Sequence, residues 1–109
     1  MSAAKATIHG GVCGFATQVA ATSEDSQNVS LSVQSTCEKI QRLAEALPAE
    51  VDAYAEIGAG FDGQVLTTAR SVLSGCCAGC VAPAGIFKTM QVAAKLALPA
   101  QSEINIERS

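Results

Sequence analysis

The 109-residue sequence has no tryptophan, one tyrosine and three phenylalanines, and only 16% of its residues are charged. Seven basic residues against ten acidic residues give a net charge of −3, so the chain lacks the positive field that nucleic-acid binding requires. It also lacks the roughly 20 consecutive apolar residues of a membrane span, because Lys95 interrupts the stretch Val92–Leu98. The N-terminus has no charged region followed by an apolar region, the pattern of a secretory signal, so we expect a cytoplasmic protein. We also expect that it binds neither nucleic acid nor membrane.

Apolar residues make up 49% of the chain, which excludes a disordered polypeptide and is enough for one modest core. We therefore expect one domain over residues 1–109. The chain has five cysteines, an odd number, and the cytoplasm keeps thiols reduced. These facts argue against a disulfide scaffold and leave metal ligands, redox thiols or buried packing groups.

Strict alternation of apolar and polar residues predicts strands with one buried face. Four strands are expected, at 4–9, 15–21, 29–33 and Glu103–Glu107. The turn-rich stretch Ser23–Asn28 predicts that the second and third form an antiparallel hairpin. In the last strand, Ile104 and Ile106 share a face.

Apolar residues at helical spacing predict three helices between the third and the last strand. They run from a capping box at Ser35 and Glu38 to Pro48, from Asp62 to Gly75, and from Pro83 to Pro99. The order of elements predicts an α+β fold. Its antiparallel sheet would combine the N-terminal hairpin strands with a C-terminal strand, covered on one face by about three helices.

The remaining polar and glycine-rich positions give no catalytic motif. The segment 49–63 lacks the Gly-Lys-Ser/Thr of a phosphate loop and is interpreted as a connection with one short helical turn. His9 is the only histidine, and is either a surface residue or a ligand or base near Cys13. The scattered carboxylates are interpreted as solvated groups near helix ends: Glu45, Glu50, Asp52 and Glu56.

The cysteines occupy three separate places. Cys13 lies between glycines before the hairpin, Cys37 lies in the first turn of the first helix, and Cys76, Cys77 and Cys80 precede the third helix. A helix N-terminus favours a thiolate, which is both a metal ligand and a nucleophile. If the end of the sheet and the two helix starts meet, three or four thiolates converge. The alternative is that the cysteines are small hydrophobic residues of the core.

Three stretches resemble a family of small uncharacterised proteins associated with anaerobic bacteria and methanogenic archaea. They are Gly11-Val12-Cys13-Gly14-Phe15, Cys37 followed by Ile40 and Leu43-Ala44, and Cys80-Val81-Ala82-Pro83-Ala84-Gly85-Ile86 running into Val92–Pro99. The resemblance covers nearly the whole chain and has no activity attached to it. It implies that Cys13, Cys37 and Cys80 belong together, with Cys76 and Cys77 matching less closely.

Three functions remain open, and the sequence does not decide whether the protein is an enzyme. The first is a carrier or accessory protein that binds zinc or an iron–sulfur cluster through Cys13, Cys37, Cys77 and Cys80. The second is a thiol-redox or nucleophilic protein that uses Cys77 and Cys80. The third is a structural or interaction module with inert cysteines. The third helix is apolar most of the way round, so we also expect a homodimer through it.

Overall fold

The structure, a computed structural model, describes residues 1–108 apart from the side chain of Cys76. Its strands are β1 (Ser2–His9), β2 (Ala16–Ser23), β3 (Asn28–Ser35) and β4 (Glu50–Asp52). Its α-helices are α1 (Glu38–Ala46), α2 (Ala53–Ala59), α3 (Gln64–Val72) and α4 (Ala82–Ala93). Short 3₁₀ turns lie at Gly11–Cys13, Gly60–Asp62 and Gly75–Gly79. The predicted α+β class with an antiparallel sheet is confirmed.

The four strands form one antiparallel sheet in the order β1-β2-β3-β4. The predicted hairpin is formed by β2 and β3, and its turn is held by Asp25. The Asp25 carboxylate accepts the backbone N–H groups of Gln27 at 3.0 Å and Asn28 at 2.8 Å. This arrangement is an Asx turn, in which a side-chain oxygen replaces a backbone acceptor.

One face of the sheet carries the core, because burial alternates along each strand. Helix α4 covers β1 and β2 on this face, and α1 covers β3. The most buried large side chains come from both layers: Val19, Val29, Leu43, Val65, Ile86 and Met90. The polar residues of the opposite face remain exposed, as an antiparallel sheet with a single covering layer permits.

The start of α1 differs from the predicted capping box. Its N-cap is Cys37, and the side chain of Cys37 makes no capping hydrogen bond. The Ser35 hydroxyl instead contacts the Thr17 hydroxyl at 2.9 Å and accepts the N–H of Cys37 at 3.1 Å. Strand β3 continues through Ser35, so this hydroxyl belongs to the sheet and not to the helix.

The segment 49–63 is more regular than expected. It contains β4, whose Val51 is buried, followed by α2. Asp52 caps α2 by accepting the N–H of Ala55 at 3.1 Å. In α2, the side chains of Tyr54 and Ile57 are exposed.

The prediction of a last strand at 103–107 is wrong, and the fourth strand of the sheet is β4. The predicted extension of the third helix to Pro99 is also wrong. Helix α4 ends in a Schellman motif, with Lys95 at φ 62° and the N–H of Leu96 donated to the carbonyl of Gln91 at 2.8 Å. Within residues 1–108, no helix has the length and apolarity needed to cross a membrane.

Candidate functional site

Two of the cysteine-bearing segments lie at the same end of the sheet. Cys13 lies in the β1–β2 connection, which closes where His9 pairs with Ala16. Cys37 follows the end of β3, and its neighbour Thr36 donates its N–H to the Ala16 carbonyl at 3.3 Å. The antiparallel register therefore brings the start of β2, the Cys13 connection and the start of α1 together.

The third cysteine-bearing segment reaches this end through two contacts. The Lys39 side chain in α1 donates to the Ser74 carbonyl at 3.3 Å, just before the turn that contains Cys77. Gly85 in α4 packs against Ile8, the next-to-last residue of β1. We call the region with Cys13, Cys37, Cys77 and Cys80 the cysteine end. The sequence raised the meeting of one sheet end with two helix starts as the condition for the thiolates to converge. These contacts place the three segments at one end of the sheet, and the convergence of the thiols themselves stays a prediction.

Cys13 is held on a tight, exposed loop. Gly11 and Gly14 have φ values of 84° and 74°, which favour glycine, and the loop is closed by the N–H of Gly10 donated to the Phe15 carbonyl at 2.9 Å. The Cys13 sulfur lies over Gly10, where any side chain would overlap it. The loop therefore presents a thiol to solvent.

Cys37 lies at the N-terminus of α1, half-buried against the core. Its carbonyl accepts the N–H of Gln41 at 2.9 Å, the first hydrogen bond of the helix. The unpaired amides of a first helical turn carry the positive end of the helix dipole. This position suits a sulfur that bears negative charge.

Cys77 lies in the 3₁₀ turn Gly75–Gly79, and Cys80 is the residue that follows the turn. The N–H of Cys80 donates to the Cys77 carbonyl at 3.1 Å. Both cysteines are half-buried against the core. The Cys80 sulfur accepts the N–H of Ala82, the first residue of α4, at 3.5 Å. Cys80 is therefore a sulfur with a backbone donor at a helix start.

All four of these cysteines are free thiols, and the side chain of Cys76 lies outside the described part of the chain. His9 ends β1 beside the Cys13 loop and is exposed. In the described residues, no group of three or more cysteine, histidine or acidic side chains is already placed to hold a metal ion. The thiols therefore share one end of the sheet without forming a coordination sphere.

One buried carboxylate was not anticipated. Glu56, grouped with solvated residues in the sequence, is only 3% exposed. It accepts the N–H groups of Gln64 at 3.0 Å and Val65 at 2.7 Å, and so caps α3 from another helix. The two donors lie eight and nine residues after Glu56 in the sequence, too far for a capping motif within one helix to reveal them. Its role is structural.

A family model described as "Family of unknown function (DUF6951)" matches residues 4–106. No curated protein and no solved structure gives a significant match.

Proposed function

The chain belongs to the DUF6951 family of unknown function, and we propose that its cysteine end binds a metal ion or an iron–sulfur cluster. The ligands are the thiolates of Cys13, Cys37, Cys77 and Cys80. The role is that of a small carrier or accessory protein. Thiolate-only sites of this kind suit zinc and iron–sulfur clusters.

The single observation that carries this proposal is the convergence of three separate cysteine-bearing segments on one end of the sheet. Cysteines that only fill a core have no need to gather at one edge of it. Three of the four are half-buried, which keeps bulk water away from a bound ion, while Cys13 is exposed. The amide of Ala82 already donates to the Cys80 sulfur, and such donors stabilise metal-bound thiolates.

Binding would require the sulfurs to lie closer together than they do in the structure. Zinc–sulfur bonds of about 2.3 Å require the sulfurs of one site to lie roughly 3.5–4 Å apart. Cys37, Cys77 and Cys80 belong to segments packed on the core, whereas Cys13 lies on a solvent-facing loop. Among the described residues no three cysteines are yet grouped to hold a metal, so the core-packed cysteines as well as Cys13 would have to move on binding.

The test is an anaerobic titration with Co²⁺, whose thiolate complexes absorb in the near ultraviolet. Cys13→Ser, Cys37→Ser and Cys80→Ser should each weaken binding at least tenfold, the scale seen when even an outer-shell partner is lost. Val12→Ser and Ala78→Ser are matched controls, since each adds a hydroxyl beside a cysteine and removes no thiol. Both should bind as the wild type does. Equal binding by all three cysteine variants would contradict the proposal.

A second candidate function has its own supporting observation. Cys77 and Cys80 lie at the ends of one hydrogen-bonded turn, and turns bring residues i and i+3 within about 7 Å. Disulfides span Cα separations of 4.4–6.8 Å. The pair could reduce a partner's disulfide. Its two thiols would lose two protons and two electrons and form one disulfide, and the partner would become a dithiol.

Mass spectrometry after equilibration in glutathione buffers distinguishes these two functions. A redox protein would give a Cys77–Cys80 disulfide peptide at the potentials of cytoplasmic oxidoreductases. A metal-binding protein would lose its metal when oxidised. Inert cysteines, the third possibility, would do neither. A cytoplasmic location, where thiols stay reduced, fits both active roles.

A homodimer is also proposed. The sequence placed its interface on α4, but Ile86, Met90 and Ala93 of that helix are buried against the sheet, and Phe87 and Val92 are half-buried. Larger exposed apolar side chains follow α4, at Leu98, Ile104 and Ile106.

A further inference from the structure

Strand β1 is an open edge of the sheet. Among the described residues it pairs with β2 alone, through eight consecutive pairs from Ser2–Ser23 to His9–Ala16. The continuous register contains no bulge and the strand contains no proline. Its outer backbone N–H and C=O groups are therefore aligned to accept another strand. The strand has one charged residue near its middle, Lys5, on the exposed face.

The core-facing side of this edge is only partly filled. Ala4, Ala6 and Ile8 face α4 and are half-buried. Two of these three residues are alanines, so the inner face beside β1 has room for larger apolar side chains. An additional strand would complete the cover of this side.

The C-terminal segment, defined as residues 98–108, has the pattern of a strand without a partner. All of it is exposed and none of it is regular secondary structure. Leu98 is 88% exposed, Ile104 71% and Ile106 88%. In residues 103–107 the two isoleucines alternate with Glu103, Asn105 and Glu107, the period of a strand with one apolar face.

We propose that β1 accepts the C-terminal segment of a second copy of this chain as a fifth strand of the sheet. Ile104 and Ile106 would cover Ala4 and Ala6 on the inner face. Glu103, Asn105 and Glu107 would lie on the open face, where the carboxylates meet Lys5. Opposite charges on neighbouring strands are among the side-chain pairs that stabilise a sheet.

A second copy is the favoured source of the strand because, within residues 1–108 of a single copy, both the β1 edge and the C-terminal segment lack a strand partner. The segment is exposed on its own body, and its own β1 edge is free along its length. In a twofold dimer each copy gives its C-terminal segment to the partner and receives the partner's segment on its own β1. Both β1 edges and both C-terminal segments are then paired. This inference rests on the proposed homodimer and names its surface. It is independent of metal binding, because mass and metal content are measured separately.

The test is the mass of the full chain by light scattering during size-exclusion chromatography. We expect twice 11.1 kDa for the wild type and 11.1 kDa for Ile104→Glu/Ile106→Glu at the same concentration. The control Asn105→Gln changes the open face of the same segment and should remain dimeric. Circular dichroism should show the same helix content for all three, since these side chains are exposed in the single copy, and the isoleucine variant should lose only the strand signal of the added segment.

Charge exchange tests the location of the interface. Lys5→Glu should raise the dimer dissociation constant about tenfold, because it replaces attraction by repulsion between neighbouring strands. Glu103→Lys/Glu107→Lys in the same chain should restore dimerisation to within a few-fold. A monomeric wild type, or a dimer unaffected by the isoleucine variant, would overturn the inference. A monomer that loses thermal stability in that variant would place the segment on its own edge, and would overturn it too.

Discussion

Ile8 of β1 packs directly on the backbone of Gly85 in α4, with no room between them for a side chain. A β-carbon at position 85 would lie 2.8 Å from Ile8 Cγ1 and would overlap the terminal methyl. This contact places the first turns of α4, and with them Cys80, beside the end of β1. The placement of the Cys80 segment at the cysteine end depends on it.

We expect Gly85→Ala to destabilise the fold by about 1–2 kcal/mol, because the cost of overpacking exceeds the gain in helix propensity. Urea unfolding measures the change. Ile8→Ala creates space at the same contact, so adding Gly85→Ala to Ile8→Ala should cost much less than Gly85→Ala alone. Strictly additive effects would show that the two residues are not in contact.

Glu56 should be the carboxylate on which stability depends most. Glu56→Ala leaves the buried amide of Val65 and the part-buried amide of Gln64 unpaired, and we expect a loss of about 2–4 kcal/mol. Glu56→Gln retains an acceptor oxygen without the charge and should lose less. The control Glu45→Gln, on the exposed face of α1, should change the free energy of unfolding by less than about 0.5 kcal/mol.

The turn between β2 and β3 should make the fold sensitive to acid. The backbone N–H groups of Asn28 and Gln27 and the Asn28 side chain lower the pKa of Asp25 from 3.8 to about 2. The Gln27 side chain and the N–H of Ala55 also lower the pKa of Asp52. A lowered pKa in the folded state adds stability above the ordinary pKa and loses it as the pH falls towards the folded value.

The melting temperature should therefore decline between pH 3.8 and about 2. Asp25→Asn should make this decline shallower, since the amide oxygen still accepts hydrogen bonds but does not titrate. Glu24→Gln alters the neighbouring exposed carboxylate and should leave the decline nearly unchanged. An Asp25→Asn profile parallel to the wild type would refute this assignment.

Lys95 adopts a left-handed conformation that suits glycine, at the position after the C-cap of α4. Lys95→Gly should stabilise the protein by about 1 kcal/mol, because it removes the clash between the β-carbon and the carbonyl oxygen. Lys88→Gly, an exposed lysine within the same helix, should destabilise it by about 1 kcal/mol. Thermal unfolding of the two variants should therefore shift in opposite directions.

Much of the architecture could be predicted from the spacing of apolar residues along the sequence. The alternation around Val19 and Val29 located the hairpin, and the helical spacing of Ile40, Leu43 and Ile86 located two helices against it. Strand β4 was missed, because three residues are too few to show a period. Periodicity also could not show that the segment with Ile104 and Ile106 pairs with no strand among the described residues of its own chain. Alternation predicts which side chains share a face, but it does not predict which strand lies alongside.

The candidate site shows the same limit. The sequence placed Cys13, Cys37 and Cys80 near strand and helix ends, and the structure brings their segments to one end of the sheet. The gathering of their thiols into one site stays a prediction. The burial of Glu56 could not be predicted, because it depends on how α2 and α3 pack. The hydrogen bond between the Thr17 and Ser35 hydroxyls could not be predicted either, because it depends on the register between β2 and β3.

Metal content and the visible spectrum of protein purified without oxygen reveal a thiolate site at the cysteine end. We expect stoichiometric zinc, or iron with sulfide and a brown colour, and loss of the metal in Cys13→Ser, Cys37→Ser and Cys80→Ser. Protein that contains no metal, and retains none after anaerobic reconstitution with zinc or with iron and sulfide, would contradict the proposed site.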